Sequence, residues 1–375
     1  MSQTMSQLDL NAAVMPPPPG EMQNLDNPPN GNGIMIGVYT TCIVIATTSV
    51  VLRTYSKFFL LKLIRIEDYL LVPTWGIFIA HCVFWMMMNG TTGNLVHMWD
   101  FRIGGLAPFY RNGFYGTLLY ETVMMVIKPM ILFEWIHIFA SAGPRNFFNW
   151  TCYILSAINV LTYFISIMID ATSCTPREYW WDQTIEGHCV DTKSLPIATA
   201  IINVIVDVFI LLLPQGIIWR LNMSKAKRAG VSCVFFVGLI SVTAATARLA
   251  LGVAYSTSVD VTYQFSQAGI LIVLEMTFAI LVFTSPHMPK PVSLLAQATG
   301  ASLTRLVRTS SRSGSGRQST ASGSRKYQDI NENGNFLPLH VLRSSKSSRS
   351  LPRRVGKNSV ESEVQFAKPD MPSLP

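Results

Sequence analysis

The chain has 375 residues, of which 49% are hydrophobic and only 13% are charged. Soluble domains carry about 25% charged residues, so this composition excludes an ordinary soluble protein and indicates a membrane protein. The net charge of +8 is uneven: residues 286–375 hold 14 Lys and Arg against 5 Asp and Glu, whereas residues 1–285 hold 15 against 16. This distribution excludes a basic nucleic-acid-binding core, and we expect no nucleic-acid partner.

The N-terminal segment, residues 1–33, contains no Lys or Arg and includes a run of four prolines at 16–19. This composition predicts a disordered extracellular arm. The segment lacks the basic start and apolar run of a cleavable signal peptide, so we expect the first helix to direct membrane insertion.

Seven apolar stretches follow the arm, and each is close to the 20 residues or so that span a bilayer. They cover residues 34–55, 68–89, 113–139, 148–170, 195–219, 231–255 and 264–285. None shows the alternation of a membrane strand. We therefore predict an all-α membrane protein, a seven-transmembrane helix bundle forming one domain over 34–289, with membrane lipids as its first partners.

The orientation of this bundle follows from Lys and Arg in the connecting segments. One side carries Arg53, Lys57, Lys62, Arg65, Arg145, Arg220, Lys225, Lys227 and Arg228. The other side carries only Arg102, Arg111, Arg177 and Lys193. Because basic residues favour the cytosolic side, we predict an N-terminus outside and a cytosolic C-terminus. We also expect a multi-pass protein of the plasma membrane.

The loop between the fourth and fifth stretches, residues 174–189, is predicted to face the oxidising compartment. We expect a disulfide between Cys174 and Cys189, which would contribute on the order of 3 kcal/mol by the chain-entropy estimate. The loop also carries Tyr179, Trp180 and Trp181. These rings would either line the mouth of a ligand site or form an interfacial aromatic belt.

The C-terminal segment, residues 290–375, is basic and serine-rich, which predicts a disordered cytosolic tail. Residues 292–307 would form a short amphipathic helix on the membrane. Attraction to anionic lipid is worth about 1 kcal/mol per basic residue near the surface, and serine phosphorylation would weaken it. The alternative is a solvated tail that only retains the orientation.

The third stretch contains three charged residues, Glu121, Lys128 and Glu134. Lys128 lies near its middle, at least about 17 Å from either end, and needs a partner inside the bundle. Glu121 and Lys128 are seven residues apart, so they share one face, which we expect to point inward. Glu134 lies near the cytosolic end and off that face, so we leave it out of the site.

Charged residues within the stretches fall into two layers. Lys128, Asp207 and Glu275 lie near the midplane, whereas Glu121 and Arg248 lie nearer the outer face. We expect Lys128 to pair with Asp207 or Glu275, and Arg248 to pair with Glu121, because an unpaired charge in a membrane is costly. The resulting network is either a ligand site that switches the protein or a static polar lock between helices.

Several kinds of chemistry lack their sequence signals. The seventh stretch has no lysine for retinal, and no P-loop, nucleophile elbow, zinc-protease motif or internal repeat is present. The six histidines are scattered. We therefore expect no cofactor and no metal, assign no catalytic residue, and favour a role other than catalysis.

Short motifs spread over residues 34–289 carry a family resemblance. They are Arg53, Glu67-Asp68-Tyr69, Lys128, Cys174-Thr175-Pro176, Trp180, Gly187-His188-Cys189, Asn203, Asp207, Leu213-Pro214, Arg248, Asp260 and Glu275. In this order they resemble the fungal rhodopsin-like domain family. It includes Pth-type receptor-like proteins and membrane proteins encoded near toxin-biosynthesis genes.

The resemblance implies a receptor-like membrane protein that binds a small lipophilic ligand and couples to a G-protein or another cytosolic signalling protein. One alternative is an accessory protein or cofactor-free enzyme of secondary-metabolite biosynthesis, and another is a transporter. The chain departs from the family at Glu67, where an aspartate is usual, and at Pro129. The arm lacks the cysteine-rich domain of some receptor-like members.

Overall fold

The computed structural model describes residues 9–139, 145–182, 184–190, 194–218, 225–255 and 258–287. Seven long helices lie in these ranges: α1 Asn32–Tyr55, α2 Ile66–Met87, α3 Ile103–Phe139, α4 Arg145–Thr172, α5 Ser194–Ile218, α6 Lys225–Tyr255 and α7 Val261–Thr284. Two short antiparallel strands, β1 Cys174–Thr175 and β2 His188–Cys189, lie between α4 and α5. All seven helices are long and apolar enough to cross a membrane, which confirms the predicted seven-helix bundle.

The helices form a closed ring in chain order, because each contacts the next and α7 contacts α1. α3 also contacts α5 and α7, so it lies toward the inside of the ring. In the most apolar windows of α3 and α7, 61% of the residues are buried, against 17% in α6. α3 and α7 therefore form the centre of the bundle, and their inner faces are where a buried site must lie.

The outer surface of the bundle is covered with large apolar side chains. Exposed examples occur on most helices and include Val44, Val72, Phe164, Phe209 and Phe236. Apolar surface of this extent is unfavourable in water but suits contact with lipid tails. The surface therefore agrees with the multi-pass membrane protein predicted from the composition.

The helix boundaries differ most from the prediction at α3, which begins at Ile103, ten residues before the predicted start. Pro108 and Pro129 both lie inside this helix, and it continues through them. Pro214 likewise lies inside α5. Prolines are tolerated in membrane helices because neighbouring groups can satisfy the freed carbonyls.

One end of the bundle, which we name the disulfide end, carries the Cys174–Cys189 disulfide across the paired strands. The arm packs at this end: Ala13 forms a β-bridge with Arg102, and the Arg102 guanidinium pairs with Asp26 at 2.5 Å. The amide of Asn24 donates to the carboxylate of Asp100 at 2.8 Å. Nothing in the arm's composition indicated these contacts for residues 9–31.

The remaining sequence predictions fall outside the described residues or are not tested by the structure. Residues 9–287 belong to one compact unit, Met1–Thr309, and the second unit, Ser310–Pro375, lies wholly outside the described ranges. The amphipathic helix at 292–307 and the basic tail also lie outside them. The division into three domains and the orientation of the bundle in the membrane stay predictions.

Candidate functional site

Lys128 lies in the middle of α3 and is almost completely buried. Its ammonium group has three acceptors, all on α5. The Asp207 carboxylate lies at 2.6 Å, the Asn203 side-chain oxygen at 2.5 Å and the Asn203 carbonyl at 3.4 Å. Of the two partners predicted from the sequence, the structure therefore gives Asp207.

Arg248 on α6 and Glu275 on α7 form a second ion pair, with Nε of Arg248 at 3.0 Å from Oε2 of Glu275. The guanidinium carbon lies 5.1 Å from the ring centre of Tyr120, a cation–π contact. The Tyr120 hydroxyl donates to the same Glu275 oxygen at 3.3 Å. Glu275 is fully buried, and the Arg248 guanidinium and the Tyr120 hydroxyl offset the cost of burying its carboxylate.

This pairing corrects the prediction that Arg248 pairs with Glu121. Glu121 is buried, as expected for the inner face of α3, but its Oε1 accepts a hydrogen bond from Ser166 on α4 at 2.6 Å. The seven-residue spacing places Glu121 on the correct face. Which neighbouring helix it meets depends on helix rotation and tilt, which packing sets.

Asn203 joins the two ion pairs. Its amide nitrogen donates to Oε1 of Glu275 at 2.6 Å, and its side-chain oxygen accepts from Lys128 and from the Tyr163 hydroxyl. The central network therefore takes residues from five helices. It comprises Tyr120, Lys128, Tyr163, Asn203, Asp207, Arg248 and Glu275. Two cations and two anions balance, so the network brings no net charge into the membrane.

A second cluster of charges lies at the opposite end of the bundle, which we name the Arg53 end. The Arg53 guanidinium is fully buried and pairs with Asp68 at 2.9 Å and with Glu134 at 2.6 Å. It also donates to the Phe283 carbonyl at 2.6 Å and lies 3.8 Å from the centre of that ring. Lys57 completes the second cluster, at 3.4 Å from Asp68 and 3.8 Å from Glu134.

The second cluster corrects our omission of Glu134, which is almost completely buried. The omission followed from treating a residue near a helix end as solvated. The cluster ties α1, α2, α3 and α7 together, because Arg53, Asp68, Glu134 and Phe283 lie on four different helices. The sequence signal was an arginine at the end of one apolar stretch with two acidic residues opening the next.

Aromatic side chains form a layer over the disulfide end of α3. Trp180 and Trp181 of the disulfide-closed loop lie with ring centres 4.9 and 5.6 Å from that of Phe114. Tyr110 contacts both Trp180 and Phe265 of α7. The loop therefore packs on the bundle rather than away from it. The choice between a ligand mouth and an interfacial belt stays open on these contacts.

A comparison with family models matches residues 52–294 to the fungal rhodopsin domain. This range covers well over half of the chain and includes every helix from α2 to α7. The chain belongs to the fungal rhodopsin domain family. The resemblance read from the scattered motifs is therefore confirmed.

Curated relatives of this fungal rhodopsin domain protein include three with informative names. A Gibberella zeae protein named "Fugralins biosynthesis cluster protein 2" is 31% identical over 92% of this chain and 89% of its own length. A "SAT4 family membrane protein" of Emericella nidulans is 28% identical over 52% of this chain and 50% of its own. A Metarhizium anisopliae "Polyenoic acids biosynthesis gene cluster protein Ba17b" is 24% identical over 55% and 56%. No solved structure matches the chain.

In this fungal rhodopsin domain protein, several residues that carried the family resemblance form ion pairs or hydrogen bonds. Arg53, Asp68 and Asn203 were among the residues that carried the resemblance and were not predicted site residues, yet each lies in a charge network. Asp260, another such mark, accepts from the Met98 amide at 3.0 Å at the disulfide end. Over the described ranges, no group of three or more His, Cys, Asp or Glu side chains is arranged to hold a metal ion.

Proposed function

We propose that this protein is an accessory membrane protein of fungal secondary metabolism that binds a small lipophilic molecule within its helix bundle. The observation that carries the proposal is the 31% identity, over nearly the whole chain, to a relative named for a biosynthesis cluster. Relatives with cluster names in two further fungi support it. In this proposal the N-terminus lies outside, the C-terminus is cytosolic and the membrane is the plasma membrane.

The geometry favours binding over acid–base catalysis. The ionised groups of Lys128, Asp207 and Glu275 are engaged within the network, whereas a catalytic acid or base must reach its substrate. A network without net charge keeps the bundle stable in the membrane. The aromatic layer above it, formed by Phe114, Trp180 and neighbouring rings, has the chemistry to contact a lipophilic molecule.

The test is a deletion strain compared with its wild-type complement by untargeted metabolite profiling. We expect the level of one family of lipophilic metabolites to fall in the deletion strain and to recover on complementation. Accumulation of a single unprocessed intermediate would instead indicate catalysis. An unchanged profile in a strain that expresses the protein during metabolite production would overturn the proposal.

The second candidate function is a receptor that couples a lipophilic ligand to a cytosolic G-protein or another signalling protein. The observation that favours it is that α3 and α7 each contribute to both the central network and the second cluster. Lys128 and Glu134 lie on α3, and Glu275 and Phe283 lie on α7. A change at the central network could therefore reach the end predicted to be cytosolic through two continuous helices.

Recruitment of a G-protein α subunit distinguishes the receptor from the accessory protein. If the protein is a receptor, an extract of the producing strain should cause recruitment of the G-protein α subunit. The same extract should cause no recruitment in the deletion strain. Equal recruitment with and without the extract, in an assay that responds to a known receptor, counts against coupling.

A further inference from the structure

Two buried polar atoms, one in the central network and one on the residue that follows Tyr120, lack a hydrogen-bond partner among the described residues. They are Nη2 of Arg248 and Oε2 of Glu121. The two side chains come from α6 and α3, and they approach each other at Tyr120: the Arg248 guanidinium lies over the Tyr120 ring, 5.1 Å from its centre, and Glu121 is the next residue of α3. Nη2 of Arg248 is a donor, and Oε2 of Glu121 is an acceptor when that carboxyl group is ionised.

Both side chains are held in place by their remaining polar atoms. Arg248 donates through Nε to Glu275 and lies over the ring of Tyr120. Glu121 accepts through Oε1 from Ser166. Each residue therefore has one oriented, unused atom rather than a freely rotating head group. Buried polar groups are nearly always hydrogen-bonded, so two neighbouring exceptions require an explanation.

The environment on the other side of Glu121 is aromatic. Phe114 precedes Glu121 by seven residues, so it shares the same face of α3 about 10 Å nearer the disulfide end. Phe114 is covered by Trp180 and Trp181 of the disulfide-closed loop. A molecule with a polar head at Glu121 and Arg248 would thus have an apolar chain directed toward aromatic rings.

We infer that these residues form the head-group site for a lipophilic carboxylic acid. The inference rests on the proposed function, since it names the class of lipophilic molecule. The acid binds in its uncharged form: its carbonyl oxygen accepts from Nη2 of Arg248, and its O–H donates to Oε2 of Glu121. A carboxylic acid supplies one acceptor and one donor side by side, and the uncharged form is cheaper to bury than a carboxylate. The hydrocarbon chain extends toward Phe114 and Trp180.

The experiment compares decanoic acid, methyl decanoate and decanol as stabilisers of the full-length protein purified in detergent. At a hundredfold excess over the dissociation constant, we expect the acid to raise the melting temperature by about 5–10 °C. The ester, which lacks the O–H donor, should raise it by less than half as much. The alcohol should also fall short, because one oxygen must serve both groups.

A double variant, Arg248→Gln with Glu275→Gln, removes both members of the ion pair and so avoids leaving a buried charge unpaired. In this double variant, the acid and the ester should raise the melting temperature by the same amount. In Lys57→Gln, which removes a positive charge at the Arg53 end, the acid should still raise the melting temperature more than the ester does. Free fatty acids extracted from the purified wild type and scarce in the double variant would support the site independently.

The outcomes separate this inference from the proposed function. Equal stabilisation by acid, ester and alcohol overturns the head-group site but leaves binding of a lipophilic molecule intact. If none of the three stabilises the wild type and no lipophilic molecule is extracted with it, both proposals fail. An acid preference that persists in the Arg248→Gln, Glu275→Gln variant also overturns the site.

Discussion

Replacing Lys128 tests whether the central network holds the bundle together. Lys128→Met removes the ammonium group and leaves the Asp207 carboxylate, which is only 8% exposed, without its cation. Asp207→Leu leaves the Lys128 ammonium group, which is only 1% exposed, without its anion. Removing one partner of a buried ion pair costs about 3–5 kcal/mol, because the other charge stays desolvated. Each single variant should therefore melt on the order of 10 °C below wild type.

The double variant Lys128→Met, Asp207→Leu removes both charges and should recover most of that loss. Two apolar side chains in place of a buried ion pair are often neutral or stabilising. Asn203 keeps its hydrogen bond from Tyr163, so it is not left without a donor. We therefore expect the double variant to lie within about 2 kcal/mol of wild type, a coupling of at least about 4 kcal/mol.

The assay is thermal unfolding in detergent, followed with a thiol-reactive fluorophore. The thiols of Cys42 and Cys82 are buried, so they react only as the bundle opens. Lys62→Met makes the same substitution at an exposed position and should change the melting temperature by only about 1 °C. If the double variant is as unstable as the two single losses added together, the ion pair does not hold the bundle.

Three further changes probe other parts of the molecule by the same melting assay. Glu134→Gln weakens the second cluster and should lower stability by roughly 3 kcal/mol; a melting temperature within about 2 °C of wild type would show that the cluster is not structural. Cys174→Ser with Cys189→Ser opens a loop of 15 residues and should lower stability by about 3 kcal/mol. If this double variant melts within about 2 °C of wild type, that estimate is wrong. Gly269→Ala places a methyl group where it overlaps the buried Trp85 ring and should cost about 1–3 kcal/mol, whereas an unchanged curve would mean that the indole moves freely.

The membrane architecture was predictable because one property, the length of an apolar run, determines it. The inward position of Lys128 was predictable for a related reason, since a lysine in the middle of a span cannot reach water. Which charged side chains pair with each other was harder to predict from the sequence. Arg248 meets Glu275 rather than Glu121 because rotation and tilt of α6 against α7 bring those side chains together.

Two of the omissions from the predicted site, Glu134 and Asn203, have different causes. Glu134 was omitted because nearness to a helix end was taken to mean contact with water, whereas Arg53 covers it. Asn203 was omitted because an uncharged side chain gives no electrostatic signal. Its position one helical turn before Asp207 nevertheless placed both on one face of α5. Buried amides beside buried charges therefore merit the same attention as the charges.

The central network also constrains the order in which the protein can enter the membrane during synthesis. Asn203 on α5 follows Lys128 by 75 residues, so the Lys128 ammonium group has no acceptor of the central network until α5 has been made. Glu275 follows Arg248 by only 27 residues and lies on the next helix, so α6 and α7 can insert as a pair that neutralises itself. Within the central network, the positive charge on α3 is therefore neutralised by a later helix, whereas the charges on α6 and α7 neutralise each other.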